Sequence, residues 1–176
     1  MNNSPNYFRP YNLVTRNIPI YIAILFVVCA VQVFGLSHLS FFNVSPDAIS
    51  VFLAFISIIM GQRIGTTFGF AAGTLSGIFS GNLGLTMLAK TVESFIAGYF
   101  HIPENSHATA KQKSKRLYGA VVTGSFAAHA VFAAGYNPLN LSPLYRIVVL
   151  GLLASLFALI LAVIVNWLLL RKTFSD

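Results

Sequence analysis

The sequence predicts an all-α fold: a polytopic integral membrane protein whose six helices form a bundle with both termini in the cytoplasm. Three observations predict it: the composition, the series of apolar segments and the distribution of positive charge. Of the 176 residues, 56% are hydrophobic and 9% are charged, whereas soluble domains are about 45–50% apolar and about 25% charged. So few charges cannot cover the surface of a soluble domain, and so many apolar residues exclude a disordered chain. The composition therefore excludes an ordinary soluble enzyme and indicates a membrane protein.

The first apolar segment covers residues 18–35 and follows a polar N-terminal tail at 1–17. Asn17 is placed to cap this helix, and Pro19 falls in its first turn, where no backbone donor is needed. The segment is too long for the hydrophobic region of a cleavable signal peptide and lacks a cleavage site of small residues at its end. We therefore expect it to be the first transmembrane helix.

The middle of the chain carries three apolar segments, at 47–60, 64–79 and 83–100. Only Gly61-Gln62-Arg63 and Ser80-Gly81-Asn82 separate them. A helix needs about 20 apolar residues to cross a hydrocarbon core about 30 Å thick, and only the third of these segments is near that length. The first two therefore either span obliquely or meet part-way through the membrane.

Two further segments lie at 117–134 and 144–170, before a C-terminal tail at 171–176. The most polar stretch of the chain, a predicted cytoplasmic loop at 101–116, precedes them. The last segment is longer than a span requires, which favours a tilted helix. A single transmembrane domain, 18–170, therefore contains all six predicted helices.

The positive charges set the predicted topology. Eleven Lys and Arg against four Asp and Glu give a net charge of +7. With six spans, nine of the eleven cations fall on one side, which the positive-inside rule assigns to the cytoplasm. These nine are Arg9, Arg16, Arg63, Lys111, Lys113, Lys115, Arg116, Arg171 and Lys172. The asymmetry accounts for the basic composition without a nucleic-acid partner, and none is expected.

Four of these cations belong to the predicted loop: Lys111, Lys113, Lys115 and Arg116. The favoured interpretation is a topology anchor, because basic loops are expected on the cytoplasmic side of any such protein. The alternative is a contact with anionic lipid or with an acidic partner.

A ladder of glycines is the most specific local pattern. Six of them recur at four-residue intervals: Gly61, Gly65, Gly69, Gly73, Gly77 and Gly81. Small residues at this spacing let helix backbones approach closely. Four residues advance a helix by about 400°, so the ladder winds slowly around it. The favoured interpretation is tight packing inside the bundle; the alternative is that this surface, with Gly84, receives a partner helix or a ligand.

Two ionisable residues, Lys90 and Glu93, lie inside the fourth segment, away from its ends. Their spacing of three places them on one helix face, close enough to pair. Ionisable groups at membrane depth are costly and point to function by default. A mutually neutralised pair that locks the helix into the bundle is one interpretation. A water-lined cavity or a polar contact with another subunit is the other.

No catalytic, cofactor-binding or metal-ligating set is predicted. The single cysteine, Cys29, lies in an apolar run, and no two histidines have metal-ligand spacing. We interpret His129, inside the fifth segment, as an interhelical hydrogen-bond donor. Ser76 and Ser80 each precede a glycine but lack the glycine two residues earlier that an intramembrane serine protease motif needs. The sequence therefore predicts a protein that is not an enzyme.

A run of short motifs between residues 45 and 100 resembles the bacterial rod shape-determining protein MreD family. The family pattern is a Pro-Asp-led helix, a Gly-Phe-x-x-Gly helix, a Ser-Gly and a Leu-Gly, then an Ala-x-Thr helix ending near glycine. The matching residues here are Pro46-Asp47, Gly69-Phe70-Ala71-Ala72-Gly73, Ser80-Gly81, Leu83-Gly84, Ala89-Lys90-Thr91 and Ala97-Gly98. Many members carry an acidic residue at the position of Gly77, so the role of that carboxylate is unfilled in this chain.

The resemblance implies a non-enzymatic scaffold in the bacterial cytoplasmic (inner) membrane that helps to maintain cell shape. Its implied partner is a bitopic MreC-like protein. Directly or through that partner, it would link the peptidoglycan synthases of cell-wall elongation, a SEDS glycosyltransferase and a class B transpeptidase, to cytoplasmic MreB filaments. Self-association into a homo-oligomer is left open.

A second resemblance gives the main alternative. The six-helix, glycine-rich organisation is similar to the substrate-binding S components of energy-coupling-factor vitamin transporters. That resemblance implies a subunit that binds a vitamin or another small molecule, with a closed pocket near the third and fourth segments. Neither resemblance implies a cofactor.

Overall fold

The computed structural model describes residues 18–40, 44–103, 106, 108–138 and 140–170. Within these residues the regular structure is helical, as the sequence predicts. The described chain forms six α-helices: α1 (Ile18–Phe34), α2 (Ala48–Met60), α3 (Gln62–Ser80), α4 (Leu83–Ala97), α5 (Ala110–Gly135) and α6 (Gly151–Val165). Short 3₁₀ turns at Leu36–His38 and Gly98–Phe100 follow α1 and α4, and π-helical turns at Tyr145–Leu150 and Asn166–Leu170 extend α6 at both ends.

Three helices in the described part of the chain are long and apolar enough to cross a membrane. They cover Ile18–His38, Ala110–Gly135 and Tyr145–Leu168, with 21, 26 and 24 residues. Helix α2 is a shorter apolar helix of 13 residues, about 20 Å long at 1.5 Å per residue. The predicted transmembrane character of the chain is therefore supported at these three helices.

Two helices begin at side-chain caps. The Asp47 Oδ1 atom accepts hydrogen bonds from the backbone N–H groups of Ile49 and Ser50, at 2.9 and 3.2 Å. Before α5, Thr109 and Gln112 form a reciprocal capping box, in which the Thr109 N–H donates to Gln112 Oε1 over 2.9 Å. Such caps pair backbone donors that a helix start leaves free.

The start of α5 differs from the sequence-based prediction. The predicted loop at 101–116 is wrong beyond Thr109, because α5 begins at Ala110, well before the predicted boundary at 117. Lys, Gln, Arg and Ala are good helix formers in water, and the capping box fixes the first turn. Hydropathy marks only the part of a helix that is apolar, so it missed these two turns.

Helix α2 lies at the centre of the bundle and contacts each of the other five helices. One of its sides packs Val51, Ala54 and Ile58 against α5 and α6, and another packs Ile49 and Leu53 against α1 and α3. This short, apolar helix is buried on nearly all sides, as expected for a helix that is hydrophobic around its whole circumference.

Helices α1 and α6 lie at the periphery. Large apolar side chains point outward from them, among them Ile20, Phe26, Val27, Val31, Leu152, Leu156, Ile160, Val163 and Ile164. Contiguous apolar surface of this kind is suited to lipid or to a partner helix. The bundle therefore has a buried centre at α2 and two apolar outer helices.

Candidate functional site

A buried ionic cluster joins the start of α2 to the middle of α4. It consists of Asp47, Lys90 and Glu93, and the ammonium of Lys90 forms ion pairs with both carboxylates. Lys90 Nζ donates to Glu93 Oε2 over 2.7 Å and to Ser50 Oγ over 3.0 Å, and its third partner is Asp47 Oδ2. Lys90 is 8% exposed and Glu93 is 1% exposed. All three donor hydrogens of the lysine therefore have protein partners.

Asp47 has two roles in this arrangement. Its Oδ1 atom caps α2, while Oδ2 receives Lys90 and, over 2.8 Å, the hydroxyl of Ser50. The backbone beside it is held by α1, because the Gln32 amide donates to Pro46 O over 3.0 Å and accepts from Ala48 N over 2.8 Å. The cap of one helix is thus fixed by side chains from two others.

Glu93 has fewer partners. Besides Lys90, it accepts a hydrogen bond from Ser125 Oγ of α5, over a long 3.4 Å. Gly124 lies next to this serine, and a Cβ atom at Gly124 would stand 3.3 Å from Glu93 Cγ. The glycine therefore lets α5 approach the carboxylate closely, and the cluster connects α2, α4 and α5.

The charges of the cluster do not cancel. One lysine and two carboxylates leave a formal excess of one negative charge in their ionised forms. Burying unpaired charge is costly, whereas a buried pair with satisfied hydrogen bonds is tolerated. Lys90 therefore stabilises two carboxylates that would otherwise repel each other.

A cavity of about 310 Å³ lies beside the cluster. It is partly open and is bounded by the start of α2 and the segment before it, the first half of α4, the last turns of α3 and the second half of α5, with one residue each from α1 and α6. Its lining comprises Gln32, Val44, Ser45, Asp47, Ile49, Ser50, Ser76, Ser80, Thr86, Ala89, Lys90, Ser125, Ala128, His129, Phe132 and Ala154. We call it the polar cavity. Its volume is at the lower end of the range of about 300–1,000 Å³ that is typical of small-molecule sites.

Several hydroxyls of the polar cavity are already engaged. Those of Ser76 and Thr86 donate to backbone carbonyls of their own or the preceding turn, over 2.7 and 2.9 Å. The ring of His129 makes no hydrogen bond to a described residue, so the interhelical bond expected of it is not seen there. His129 is therefore the cavity side chain best placed to meet a bound molecule.

Part of the ionic cluster was predicted from the sequence. The spacing of Lys90 and Glu93 predicted that they are close enough to pair, and the structure joins them directly. Asp47 was not predicted from the sequence as the second carboxylate, although an acidic residue at the start of an apolar helix is a recognisable cap. Ser50 and Ser125 carried no sequence signal, because their role depends on where α2 and α5 pack.

The structure places the glycine ladder mostly inside the bundle. A Cβ atom at Gly65 would lie 2.2 Å from Ser57 Oγ of α2, and one at Gly69 would lie 2.3 Å from Ser94 Oγ of α4. At Gly73 and Gly77 it would lie 2.6 and 2.9 Å from backbone atoms of α4. These four positions leave no room for a side chain, so α3 packs against its neighbours almost backbone to backbone.

The remaining glycines of the predicted set differ. Gly61 and Gly81 adopt positive φ angles of 83° and 74°, and they end α2 and α3. Positive φ is readily adopted by glycine and costly for most other residues. Gly84, in the first turn of α4, has nothing within 4 Å of its Cβ position.

The predicted basic residues lie away from the ionic cluster. Lys111, Lys113, Lys115 and Arg116 occupy the first two turns of α5. The ion pairs between described residues both belong to the ionic cluster, so these four cations have no acidic partner there. Arg116 donates instead to the backbone carbonyl of His101, over 3.0 Å.

No group of three or more His, Cys, Asp or Glu side chains within the described ranges is placed to hold a metal ion. The chain matches no protein-family model, no curated protein and no solved structure.

Proposed function

We propose that the protein is a non-enzymatic scaffold subunit of the bacterial cell-elongation complex, with six spans in the cytoplasmic membrane and both termini inside. The observation that carries the proposal is the motif run at 45–100. This stretch coincides with the tightly packed core of α2, α3 and α4, which α1 and α6 flank with outward apolar faces. A scaffold needs such a combination, because a rigid centre fixes the orientation of the surfaces that contact partners.

The chemistry of the buried core is compatible with this role. The ionic cluster connects three helices through satisfied hydrogen bonds, and α3 contacts α4 at glycines. The apolar faces of α1 and α6 suit packing against the transmembrane helix of a bitopic MreC-like partner. Through that partner, the scaffold would reach the SEDS glycosyltransferase, the class B transpeptidase and the cytoplasmic filaments.

The test is depletion of the protein in the bacterium that encodes it, combined with affinity purification from its membranes. The proposal expects rod-shaped cells to become round on depletion, and an MreC-like protein to co-purify with the tagged chain. Unchanged rods together with no such protein in the purified material would refute it.

A second candidate function is a substrate-binding subunit of a vitamin or small-molecule transporter. The polar cavity favours it, because it has the volume of a small ligand site and lies beside charged groups that the proposed six spans would put at membrane depth. This function expects a small molecule retained through purification and visible by native mass spectrometry. A purified protein with no retained molecule and no thermal shift across a panel of vitamins would contradict it.

The proposed topology is testable separately. Reporter fusions at the two termini and in the segment between α4 and α5 should all report the cytoplasm. A fusion at 37–40 or at 136–138 should report the outside. Two termini on opposite sides would exclude six spans, and would indicate that α2 and α3 together cross the membrane only once.

A further inference from the structure

A second cavity, of about 320 Å³, lies at the opposite end of α5 and α6 from the polar cavity. It lies between the first turns of α5 and the π-helical turn after α6. Lys111, Ser114 and Tyr118 line it from α5, and Asn166 and Trp167 line it from the π-helical turn. We call it the basic cavity. We propose that it binds the phosphate group of a phospholipid with an anionic headgroup.

Two hydroxyls at this cavity accept hydrogen bonds from one amide group. Asn166 Nδ2 donates to Ser114 Oγ over 3.1 Å and to Tyr118 Oη over 2.7 Å. Each hydroxyl oxygen therefore uses a lone pair to accept, which leaves its own hydrogen to donate elsewhere. Neither hydroxyl donates to a described residue. Asn166 is thus a positioning residue for two donors at the edge of the cavity.

Lys111 adds a positive charge to these two donors. Its side chain is exposed and forms no ion pair with a described residue. Lys113, Lys115 and Arg116 follow in the same two helical turns, and the positive end of the α5 dipole lies at this terminus. A lysine and two hydroxyls thus line one cavity in an electropositive setting, a combination that suits a phosphate oxygen.

The surroundings favour a lipid over a free phosphate ion. Trp167 lines the cavity and is 68% exposed, and tryptophan is enriched at the headgroup level of membranes. Val163 also lines the cavity and belongs to the outward apolar face of α6, with Ile160 and Leu156. The acyl chains of a lipid would therefore lie along this face while its phosphate occupies the cavity.

The charges around the basic cavity favour an anionic headgroup over a zwitterionic one. A zwitterionic headgroup carries an ammonium or choline, which the neighbouring cations repel unless a negative partner balances it. The described acidic side chains, Asp47 and Glu93, belong to the ionic cluster at the other end of the bundle. An anionic headgroup such as phosphatidylglycerol needs no such partner and gains from the neighbouring cations.

The test compares lipid retention by native mass spectrometry of the full-length protein from nanodiscs of equal phosphatidylglycerol and phosphatidylcholine. We expect one phosphatidylglycerol to be retained in preference to phosphatidylcholine. Lys111→Ala should weaken this retention about tenfold, the loss expected for one charge-assisted hydrogen bond. Lys115→Ala is the matched control, an exposed lysine one turn away that does not line the cavity, and should change it less than about twofold.

A second variant tests the role of the hydroxyls. Asn166→Asp keeps the size of the side chain, but its carboxylate would accept both hydroxyl hydrogens and repel a phosphate. We expect this variant to lose the preference for phosphatidylglycerol. Tyr118→Phe removes one donor, keeps the ring, and should weaken retention several-fold even if the aspartate variant does not fold.

Three results would overturn the proposal. Equal retention of the two lipids by the unmodified protein would exclude headgroup recognition. Equal losses in Lys111→Ala and Lys115→Ala would show general attraction to a charged surface rather than a site. Stabilisation by inorganic phosphate that equals the effect of phosphatidylglycerol in lipid-free detergent would assign the cavity to a soluble anion. None of these results bears on the proposed scaffold function.

Discussion

The two ends of the bundle use lysine in opposite ways. At the polar cavity, Lys90 is buried and all of its donor hydrogens are taken by the protein's own carboxylates and a serine. At the basic cavity, Lys111 is exposed and has no acidic partner among the described residues. The first lysine is a structural element whose partners the fold supplies. The second has no acidic partner among the described residues, and we propose that its charge meets a lipid phosphate.

Burial decides which partners each lysine can have. A buried charge must be satisfied internally, because an unpaired one would cost more than the fold gains from it. An exposed charge carries no such requirement and is free to meet a ligand. Substitutions at the two ends should therefore separate effects on stability from effects on binding.

The largest expected effect belongs to Lys90→Met. It leaves the buried Glu93 and the half-buried Asp47 without their shared cation, and removing one partner of a buried ion pair costs about 3–5 kcal/mol. The measurement is the free energy of unfolding in mixed micelles. Lys115→Met, on the exposed surface of α5, is the control and should change it by less than about 0.5 kcal/mol. A cost below about 1 kcal/mol for Lys90→Met would contradict a structural role for the cluster.

A smaller effect is expected for Gly73→Ala in α3. The new methyl group would lie 2.6 Å from Met87 Cα, so α3 and α4 would have to separate, at a cost of about 1–3 kcal/mol. Gly84→Ala is the matched control on α4, where the added carbon meets nothing within 4 Å. The melting temperature in detergent should fall for the first variant only. Equal melting temperatures would show that the contact between α3 and α4 is not limiting.

Asp47→Asn should lower the free energy of unfolding only moderately, because asparagine caps a helix about as well as aspartate. The variant removes one charge and leaves Lys90 and Glu93 as a balanced pair. We expect a loss of about 1–2 kcal/mol, the scale of one charge-assisted hydrogen bond. Asp47→Ala removes the cap as well and should be worse by about 1 kcal/mol. Equal losses in the two variants would mean that the cap contributes nothing.

The smallest effect on stability is expected for Lys111→Ala. Substituting an exposed lysine that forms no ion pair changes the free energy of unfolding by less than about 0.5 kcal/mol. The same variant should still weaken retention of phosphatidylglycerol, which separates it from Lys90→Met. A large loss of stability in lipid-free detergent would show that Lys111 has a structural partner.

Much of the fold follows from local features of the sequence. Apolar segments and their breaks predict the helices, because each break contains the glycine or polar residues that end a helix. The beginning of α5 was missed, because Lys111, Lys113 and Lys115 are hydrophilic and hydropathy cannot distinguish a helix in water from a loop. The capping pair Thr109 and Gln112 was the available signal.

Only part of the ionic cluster could be predicted from the sequence. Lys90 and Glu93 are three residues apart on one helix, so local geometry brings them together. Asp47 lies 43 positions from Lys90, and only the packing of α2 against α4 joins them. The two cavities likewise depend on how distant helices meet, which one sequence does not encode in any local pattern.

The most direct test of the proposed function is mass spectrometry of the full-length protein purified from the membranes of the bacterium that encodes it. A scaffold of the cell-elongation complex should be recovered with a bitopic MreC-like protein in near-equal amounts and with the polar cavity holding no stoichiometric small molecule. Recovery without any such protein, and with one small molecule bound per chain, would contradict the scaffold and favour the transporter subunit.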